Sequence, residues 1–316
     1  MSNSSPKTSL SAQPEAAGER VRRPRPEWLK VRLPHGQNYF QLKELIREHG
    51  LNTVCEHANC PNVAECWAAG TATFMILGDV CTRACRFCAV ESGRPPIYDR
   101  EEPGRVAAAI RRLNLKYVVI TSVDRDDLED GGAWIFAETI RQTRHLCPGI
   151  AIEVLIPDFR GSLAALRTVV DAGPDVLGHN VETVPRLYKV ARAGSRYQRS
   201  LEVLRRARSF GTPITTKSSI MLGLGEDPRE VLEVLNDLAQ SGVDIVTLGQ
   251  YLQPSRELLP VTRFYSPQEF ERFREYATSL GFRHVEAGPL VRSSYHAERQ
   301  QRASLSSQTT RRSRPT

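Results

Sequence analysis

The sequence has no long apolar run, and this absence limits what the protein can be. No stretch approaches the roughly 18–20 apolar residues that a membrane-spanning helix needs. The first thirty residues also lack the apolar segment of a secretory signal and are rich in Ser, Pro, Ala and Arg. Glu15 and Glu19 argue against an organelle-targeting peptide there. We therefore expect a cytoplasmic protein without a membrane partner, beginning with a disordered tail over residues 1–24.

The body of the chain also lacks an excess of positive charge. The net charge is +7, but residues 1–30 and 301–316 account for all of it, so residues 31–300 are neutral. A groove that follows a phosphate backbone needs its basic residues on the folded body. The sequence therefore indicates no nucleic-acid partner. Residues 301–316, polar and rich in Arg, are expected to form a flexible basic tail.

Cysteine is scarce outside one short segment. Six of the seven cysteines lie between Cys55 and Cys88, and Cys147 stands alone, as an expected buried thiol. In a small secreted protein such density would suggest disulfides, but this chain is long and shows no export signal. Clustered thiolates in a reducing compartment are more often metal ligands.

From Thr71 onward the pattern of apolar segments predicts an α/β fold. Six short apolar strands alternate with amphipathic helices, which favours a parallel sheet covered by helices. Six βα units are fewer than the eight of a closed barrel, and a doubly wound sheet is the alternative. We expect a partial (β/α)6 TIM-type barrel over residues 71–282, whose mouth is capped by extensions at residues 25–70 and 283–300. The predicted strands are residues 73–77, 117–123, 151–157, 175–181, 214–224 and 245–252.

The sharpest motif is Cys81-x3-Cys85-x2-Cys88, which follows the first predicted strand. Three thiolates on one short loop can bind three corners of a cubane cluster and leave the fourth iron open for a small molecule. Phe87 adds an aromatic side chain directly before the third cysteine. A structural zinc site is the alternative, but it usually has four ligands, and no fourth ligand lies within this loop.

A second triplet, Cys55-x4-Cys60-x5-Cys66, lies just upstream. Alone it would also suit core residues, or a zinc site completed by His57. Beside the first triplet it suggests a second cluster, with both clusters facing one cavity at the carboxyl ends of the strands.

The two spacings together resemble the lipoyl synthase family of the radical S-adenosylmethionine superfamily. Other segments between residues 25 and 297 agree with this resemblance. They are RPEWLK at 25–30, TSVDRDDL at 121–128, GHNVET at 178–183, MLGLGE at 221–226 and RSSYHA at 292–297.

The resemblance implies roles for individual residues. It makes Ser294 the fourth ligand of an auxiliary 4Fe–4S cluster held by Cys55, Cys60 and Cys66. It places the cofactor-binding 4Fe–4S cluster on the loop triplet, which is Cys81, Cys85 and Cys88. The residues that it assigns to S-adenosylmethionine are Phe87, Gly131, Gly132, Asn180, Met221 and Gly223. Asn180 and Glu182, at the carboxyl end of the fourth predicted strand, are candidates to bind the cofactor or the substrate.

The activity implied is the insertion of two sulfur atoms at carbons six and eight of an octanoyl chain on a lysine. A radical derived from S-adenosylmethionine would remove the hydrogens, since no side-chain base can take so weakly acidic a proton. The auxiliary cluster would be the sulfur donor. The implied partners are octanoylated lipoyl carrier domains (2-oxoacid dehydrogenase acyltransferase subunits and the glycine cleavage H protein), an electron donor such as ferredoxin or flavodoxin, and an iron–sulfur carrier.

Other readings remain open at this stage. A biotin synthase or a methylthiotransferase would place its second-cluster ligands differently, and the R-S-S-Y segment argues against both. An electron-transfer carrier or a zinc-stabilised binding protein would have little use for six βα units.

Overall fold

A computed structural model describes residues 25–30, 37–48, 50–58 and 60–312. The predicted tail over residues 1–24 and the last four residues lie outside this range. None of the helices within it is both long and apolar enough to cross a bilayer.

Most strands belong to one sheet, in which β1 pairs antiparallel with β2 and every later neighbour is parallel. Its order among the described residues is β1-β2-β5-β6-β7-β8-β9-β10, and β3 and β4 form a separate two-stranded ladder. The strands are β1 Asn52–Thr53, β2 Thr71–Ile76, β3 Val80–Cys81, β4 Glu91–Ser92, β5 Tyr117–Ser122, β6 Ala151–Leu155, β7 Val176–Gly178, β8 Thr215–Leu222, β9 Ile245–Gln250 and β10 His284–Gly288.

Helices follow the parallel strands along the chain and bury apolar side chains against the sheet. Several begin at side-chain caps; Asp227 and Ser266, for example, start capping boxes on α9 and α10. The helices are α1 Gln37–Glu48, α2 Val54–His57, α3 Val63–Ala68, α4 Glu102–Arg112, α5 Ala133–Leu146, α6 Leu163–Asp171, α7 Tyr188–Ala191, α8 Tyr197–Ser209, α9 Pro228–Gln240, α10 Pro267–Ser279 and α11 Ala297–Arg312.

The predicted α/β fold with a mostly parallel sheet is confirmed, and each of the six predicted strands coincides with an observed one. The strand order also decides against a doubly wound sheet. In that arrangement later strands lie on both sides of the first one, whereas here the parallel strands follow one another across the sheet in chain order.

Residues 283–300 differ from the expected extension outside the repeats, because β10 adds a seventh parallel strand beside β9. The apolar pattern did not reveal it, since all five residues of β10 are only half-buried. An edge strand has a neighbour on one side only, and its sequence therefore need not be continuously apolar.

The flexible tail predicted from residue 301 was also wrong for the described part, because α11 continues to Arg312. Ala297, Gln300 and Ser304 are fully buried, at the spacing of one helix face. Ala297 packs against Tyr117 and Val119 of β5. Small and polar residues form this face, and hydropathy alone could not reveal it.

Candidate active site

A cavity of about 360 Å³ lies at the carboxyl ends of the strands. Side chains of β2, β5, β6, β8 and β9 line it, together with residues 54–61 before the sheet and 291–294 after it. Five of the six clustered cysteines also line it: Cys55, Cys60, Cys81, Cys85 and Cys88. The structure thus brings both triplets to one cavity, although their spacings differ and they lie on different segments.

The loop triplet is held by backbone geometry at both ends. The chain leaves β2 through Leu77 and Gly78, both with positive φ, and the buried Glu102 carboxylate accepts a hydrogen bond from the Leu77 N–H at 2.8 Å. At the other end, the Gly93 N–H donates to the Cys81 carbonyl at 2.9 Å, beside the β3–β4 ladder. The loop between these anchors carries all three cysteines.

Arg83, inside this loop, is its strongest side-chain anchor. Its guanidinium donates to both carboxylate oxygens of Asp126 at 2.8 Å and to Asp158 at 2.6 Å, and it lies 3.3 Å from Asp124. Burial alone would raise the pKa of Asp158, but the hydrogen bond from Arg83 helps to lower that pKa to about 2. Arg83 could not be identified from the sequence, because nothing in its spacing shows that three carboxylates from other loops surround it.

Cys81 is buried, whereas Cys85 and Cys88 are half-buried. Removal from water raises the pKa of Cys81 to about 11 and that of Cys85 to about 12. Two backbone N–H groups, of Arg83 and Asp124, point at the Cys81 sulfur at 3.4 and 3.3 Å. Amide donors of this kind favour the thiolate over the thiol. A bound metal would deprotonate these thiols fully, because a coordinated thiol exists as the thiolate.

Arg192 brings a positive charge to the same end of the cavity. Burial opposes this charge, but the neighbouring Tyr188, Glu182 and Cys85 raise the pKa of Arg192. Its Nη1 donates to the Tyr188 and Ser200 hydroxyls, both at 3.1 Å. Asp124 lines the same wall, and its burial raises the pKa of its carboxyl group. The sequence analysis assigned no role to Arg192 or Asp124.

The second triplet lies on two short helices and the turn between them. Cys55 is on α2, which Thr53 caps, and Cys66 is on α3. Burial, with a smaller contribution from neighbouring thiols of the triplet, raises the pKa of Cys55 to about 11 and that of Cys66 to about 12. Cys66 is outside the cavity lining but close enough to Cys55 and Cys60 for this electrostatic effect.

The C-terminal segment completes this second group. Ser294 lines the cavity, and the Asn62 amide donates to the Leu290 carbonyl at 2.7 Å. Glu65, next to Cys66, lies 3.2 Å from the Tyr295 hydroxyl and 3.1 Å from His296. These contacts tie the C-terminal segment to the start of α3, the helix that carries Cys66.

Gly249 makes room for this C-terminal segment. A Cβ at this position would lie 2.0 Å from the Val291 carbonyl oxygen, so only glycine allows the segment to approach β9 so closely. This glycine lies within the buried strand β9, which is a usable sequence signal, but its partner lies more than forty residues later.

Three of the residues predicted to bind the cofactor line the cavity: Phe87, Asn180 and Met221. Glu182 lines it as well, with a positive φ of 64°, and accepts a hydrogen bond from the Asn180 amide at 3.0 Å. The Asn180 side-chain oxygen is buried and has no hydrogen-bond partner among the described residues. A buried acceptor left open in this way fits a hydroxyl or amine of a bound molecule.

Gly131, Gly132 and Gly223 do not line the cavity, and their predicted cofactor contacts stay predictions. A Cβ on Gly131 would lie 3.0 Å from Phe159, and one on Gly132 would lie 2.2 Å from Leu77. Gly132 is the N-cap of α5, with a φ of 87°. Gly223 lies against Gln250 and the Arg263 carbonyl in the same way. These glycines allow tight chain packing, and the cavity geometry gives no support for cofactor contacts.

The donor set fits two iron–sulfur clusters. Each triplet offers three thiols free of disulfide bonds, and thiolates are the usual ligands of such clusters. Ser294, which lines the same cavity as Cys55 and Cys60, offers a hydroxyl oxygen in addition to the thiols, while the loop triplet has no fourth donor in its motif. Cys147 is half-buried at the end of α5 and lines no part of the cavity.

Two family models match the chain. Residues 75–238 match the radical SAM superfamily, and residues 2–60 match the N-terminal domain of lipoyl synthase. Lipoyl synthase of Rubrobacter xylanophilus is 55% identical over 89% of this chain and 88% of its own length. The mitochondrial lipoyl synthase of Nematostella vectensis is 52% identical over 88% of this chain and 95% of its own length.

Among solved structures, SuiB of Streptococcus suis bound to S-adenosylmethionine has a TM-score of 0.53 and 12% sequence identity. The match covers 81% of this chain and 58% of SuiB. At this level of identity the likeness concerns the fold alone.

Proposed function

This chain belongs to the lipoyl synthase family of the radical S-adenosylmethionine superfamily, and from that premise we propose how its own residues divide the work. The reaction inserts two sulfur atoms into an octanoyl chain bound to a protein lysine. The observation that carries the residue assignments is the meeting of both cysteine triplets and Ser294 at one cavity.

The loop triplet of Cys81, Cys85 and Cys88 would hold one 4Fe–4S cluster and leave one iron open. The segment triplet of Cys55, Cys60 and Cys66, with Ser294, would hold the auxiliary cluster. When bound, these groups supply the electron that cleaves S-adenosylmethionine and the sulfur atoms that are inserted. An oxygen ligand binds iron less tightly than a thiolate, which suits a cluster that is consumed.

We assign Asp124 and Arg192, in place of Gly131 and Gly132, to the binding of the amino-acid end of S-adenosylmethionine. They place a carboxylate and a guanidinium beside the loop thiols, as their effects on the pKa values of Cys81 and Cys85 show. An α-amino acid carries an ammonium and a carboxylate, which these two side chains complement in charge. The open Asn180 oxygen and Met221 would contact the nucleoside part.

The remaining wall of the cavity is apolar and suits the octanoyl chain. Val54, Leu155, Ile156, Tyr251 and Val291 contribute to it. A reactive carbon radical attacks whatever is near, so excluding water and fixing the chain are the main tasks of these residues.

The finer architecture follows from the same cavity. We propose that residues 71–282 form a partial TIM-type barrel, because strands from β2 to β9 contribute to one cavity although β1 and β10 are not paired with each other. Residues 25–70 and the segment around Ser294 would cap its mouth. The proposed partners are octanoylated lipoyl carrier domains, a ferredoxin or flavodoxin and an iron–sulfur carrier, all in the cytoplasm.

The test is an anaerobic assay with an octanoyl-lysine peptide, a reductant and S-adenosylmethionine. The purified protein should contain about eight irons per chain, the content of two cubanes. Cys55→Ala should still form 5′-deoxyadenosine but insert no sulfur. Cys147→Ala, the matched control outside the cavity, should retain both activities. Sulfur insertion at the normal rate by Cys55→Ala would refute the donor assignment.

A further inference from the structure

The floor of the cavity lies on the inner face of the strands. Thr73, Val119 and Ser219 line the cavity from β2, β5 and β8, and each is at most 6% exposed. Thr73 and Val119 are paired neighbours across β2 and β5. Below them, the Lys217 ammonium binds the Glu153 carboxylate at 2.8 Å, and the Tyr117 hydroxyl donates to the same carboxylate at 2.7 Å.

Helix α11 packs against the residues of this floor. Ala297, its first residue, packs with Tyr117 and Val119 in one buried cluster. Gln300, one turn further along, is fully buried and donates to the Tyr295 carbonyl at 2.6 Å. Val119 is therefore held between the cavity and packed side chains and cannot move aside without disturbing them.

The floor also lies close to the segment triplet. Thr73 hydrogen-bonds to Cys55, and this contact lowers the pKa of the thiol against the larger opposite effect of burial. A chain that enters through the mouth and reaches the floor thus ends beside Cys55. The carbons that receive sulfur are at this far end of an octanoyl chain.

We propose that Val119 is the residue that sets the acyl chain length which the cavity accepts. This inference rests on the proposed function. The two methyl groups of Val119 stop the terminal carbon of an eight-carbon chain level with the segment triplet. A longer chain must leave part of its length outside or push against Val119 and Ala297.

The matched control is the preceding residue. Successive side chains of a strand point to opposite faces, and Val118 is fully buried in the core between the sheet and its helices. Val118→Ala and Val119→Ala each remove two methyl groups from neighbouring residues of β5. Only the second change enlarges the cavity.

The experiment measures binding of peptides with hexanoyl-, octanoyl- or decanoyl-lysine to the anaerobic holoenzyme by fluorescence anisotropy. Val119→Ala should improve the affinity for the decanoyl peptide relative to the octanoyl peptide by about tenfold, the value of two buried methylenes. Val118→Ala should leave that ratio unchanged. Val119→Ile, which fills the floor further, should shift the preference towards the hexanoyl peptide.

The chain-length assignment alone would be overturned if both Val119 variants kept the ratio of decanoyl to octanoyl affinity of the unaltered protein. In that case the unaltered protein would still bind the octanoyl peptide normally. An equal shift in Val118→Ala would also overturn it, because the effect would then come from general loosening of the strand. No preference of the unaltered protein for any acyl peptide would instead refute the proposed function and, with it, this inference.

Discussion

The two cysteine triplets reach the same cavity by different structural means. The loop triplet lies within eight residues of chain, and Arg83 fixes that loop through the buried carboxylates of neighbouring loops. The segment triplet is spread over α2, α3 and the turn between them, and its expected fourth ligand, Ser294, comes from the other end of the chain. Its ties to the C-terminal segment are few and include the half-exposed Glu65.

This difference matches the work proposed for each triplet. A cluster that only passes electrons benefits from a rigid site that does not change between turnovers. A cluster that loses sulfur must be dismantled and rebuilt, which a site assembled from two chain segments permits. The comparison predicts that changes at the loop triplet affect stability as well as chemistry, whereas changes at the segment triplet affect mainly sulfur insertion.

The largest effect is expected from Arg83→Met. It leaves the buried Asp158 and its neighbours without their main cation, and breaking a buried ion pair in this way costs about 3 to 5 kcal/mol. Urea unfolding should show a loss of that size. The iron content should fall towards that of one cluster, and 5′-deoxyadenosine formation should be lost.

Arg160→Met is the control for Arg83→Met. The Arg160 side chain is exposed and makes only a 3.4 Å contact with the Asp126 carbonyl. Its removal should change the free energy of unfolding by less than about 0.5 kcal/mol. Equal losses in the two variants would show that the loop does not depend on the buried network.

A smaller effect, at least tenfold on the rate of sulfur insertion, is expected from Ser294→Ala. Removing one ligand should make the auxiliary cluster easier to extract with a chelator, while 5′-deoxyadenosine still forms. Ser293→Ala, the adjacent serine that also lines the cavity, is the matched control and should behave like the unaltered protein. The contrast between the triplets would fail if Ser294→Ala abolished cofactor cleavage as well.

The smallest effect concerns His179, whose ring lies 3.0 Å from the Ser200 hydroxyl that Arg192 also contacts. Burial lowers the pKa of His179 from 6.5 to about 4. Between these values the unfolded chain binds a proton that the folded protein does not. The contribution of His179 to the free energy of unfolding is therefore fully present above pH 6.5. It is lost progressively as the pH falls from 6.5 towards 4.

Urea unfolding at pH 7.5 and 5.5 measures this contribution. Between these two values His179 should account for a loss of about 1.4 kcal/mol. His179→Gln should have a lower stability at pH 7.5 but lack this part of the pH dependence. Identical pH profiles for the two proteins would mean that His179 is not held neutral, and that Arg192 does not depend on it.

Much of the fold could be predicted because strands buried by helices must be apolar along their whole length. Most of the six strands from β2 to β9 that belong to the main sheet show this pattern. The exceptions are β6 and the polar first half of β8, which carry Glu153 and Lys217 as a buried ion pair. β10 does not, because an edge strand contacts a neighbour on one side only. α11 was missed because Ala297, Gln300 and Ser304 form a buried face that is small and polar instead of apolar.

For the site, the cysteine positions could be predicted because ligand spacing is a property of the chain itself. The cofactor contacts of Gly131, Gly132 and Gly223 stay predictions, because these glycines pack against other parts of the chain and do not line the cavity. A glycine indicates that space is limited, but not whether a ligand or a side chain such as Leu77 occupies that space. Arg83, Asp124 and Arg192 carried no signal, since charged residues on loops are common and only their partners give them a role.

The sequence by itself determined the ligand types, their spacing and the alternation of strands and helices, because these depend on residues that are close together in the chain. The tertiary structure decided that both triplets come to one cavity, that Ser294 lines this cavity from a segment far along the chain and that Val119 forms the floor. Those relations join residues that are up to about 240 positions apart. Only the folded sheet brings such residues within contact distance.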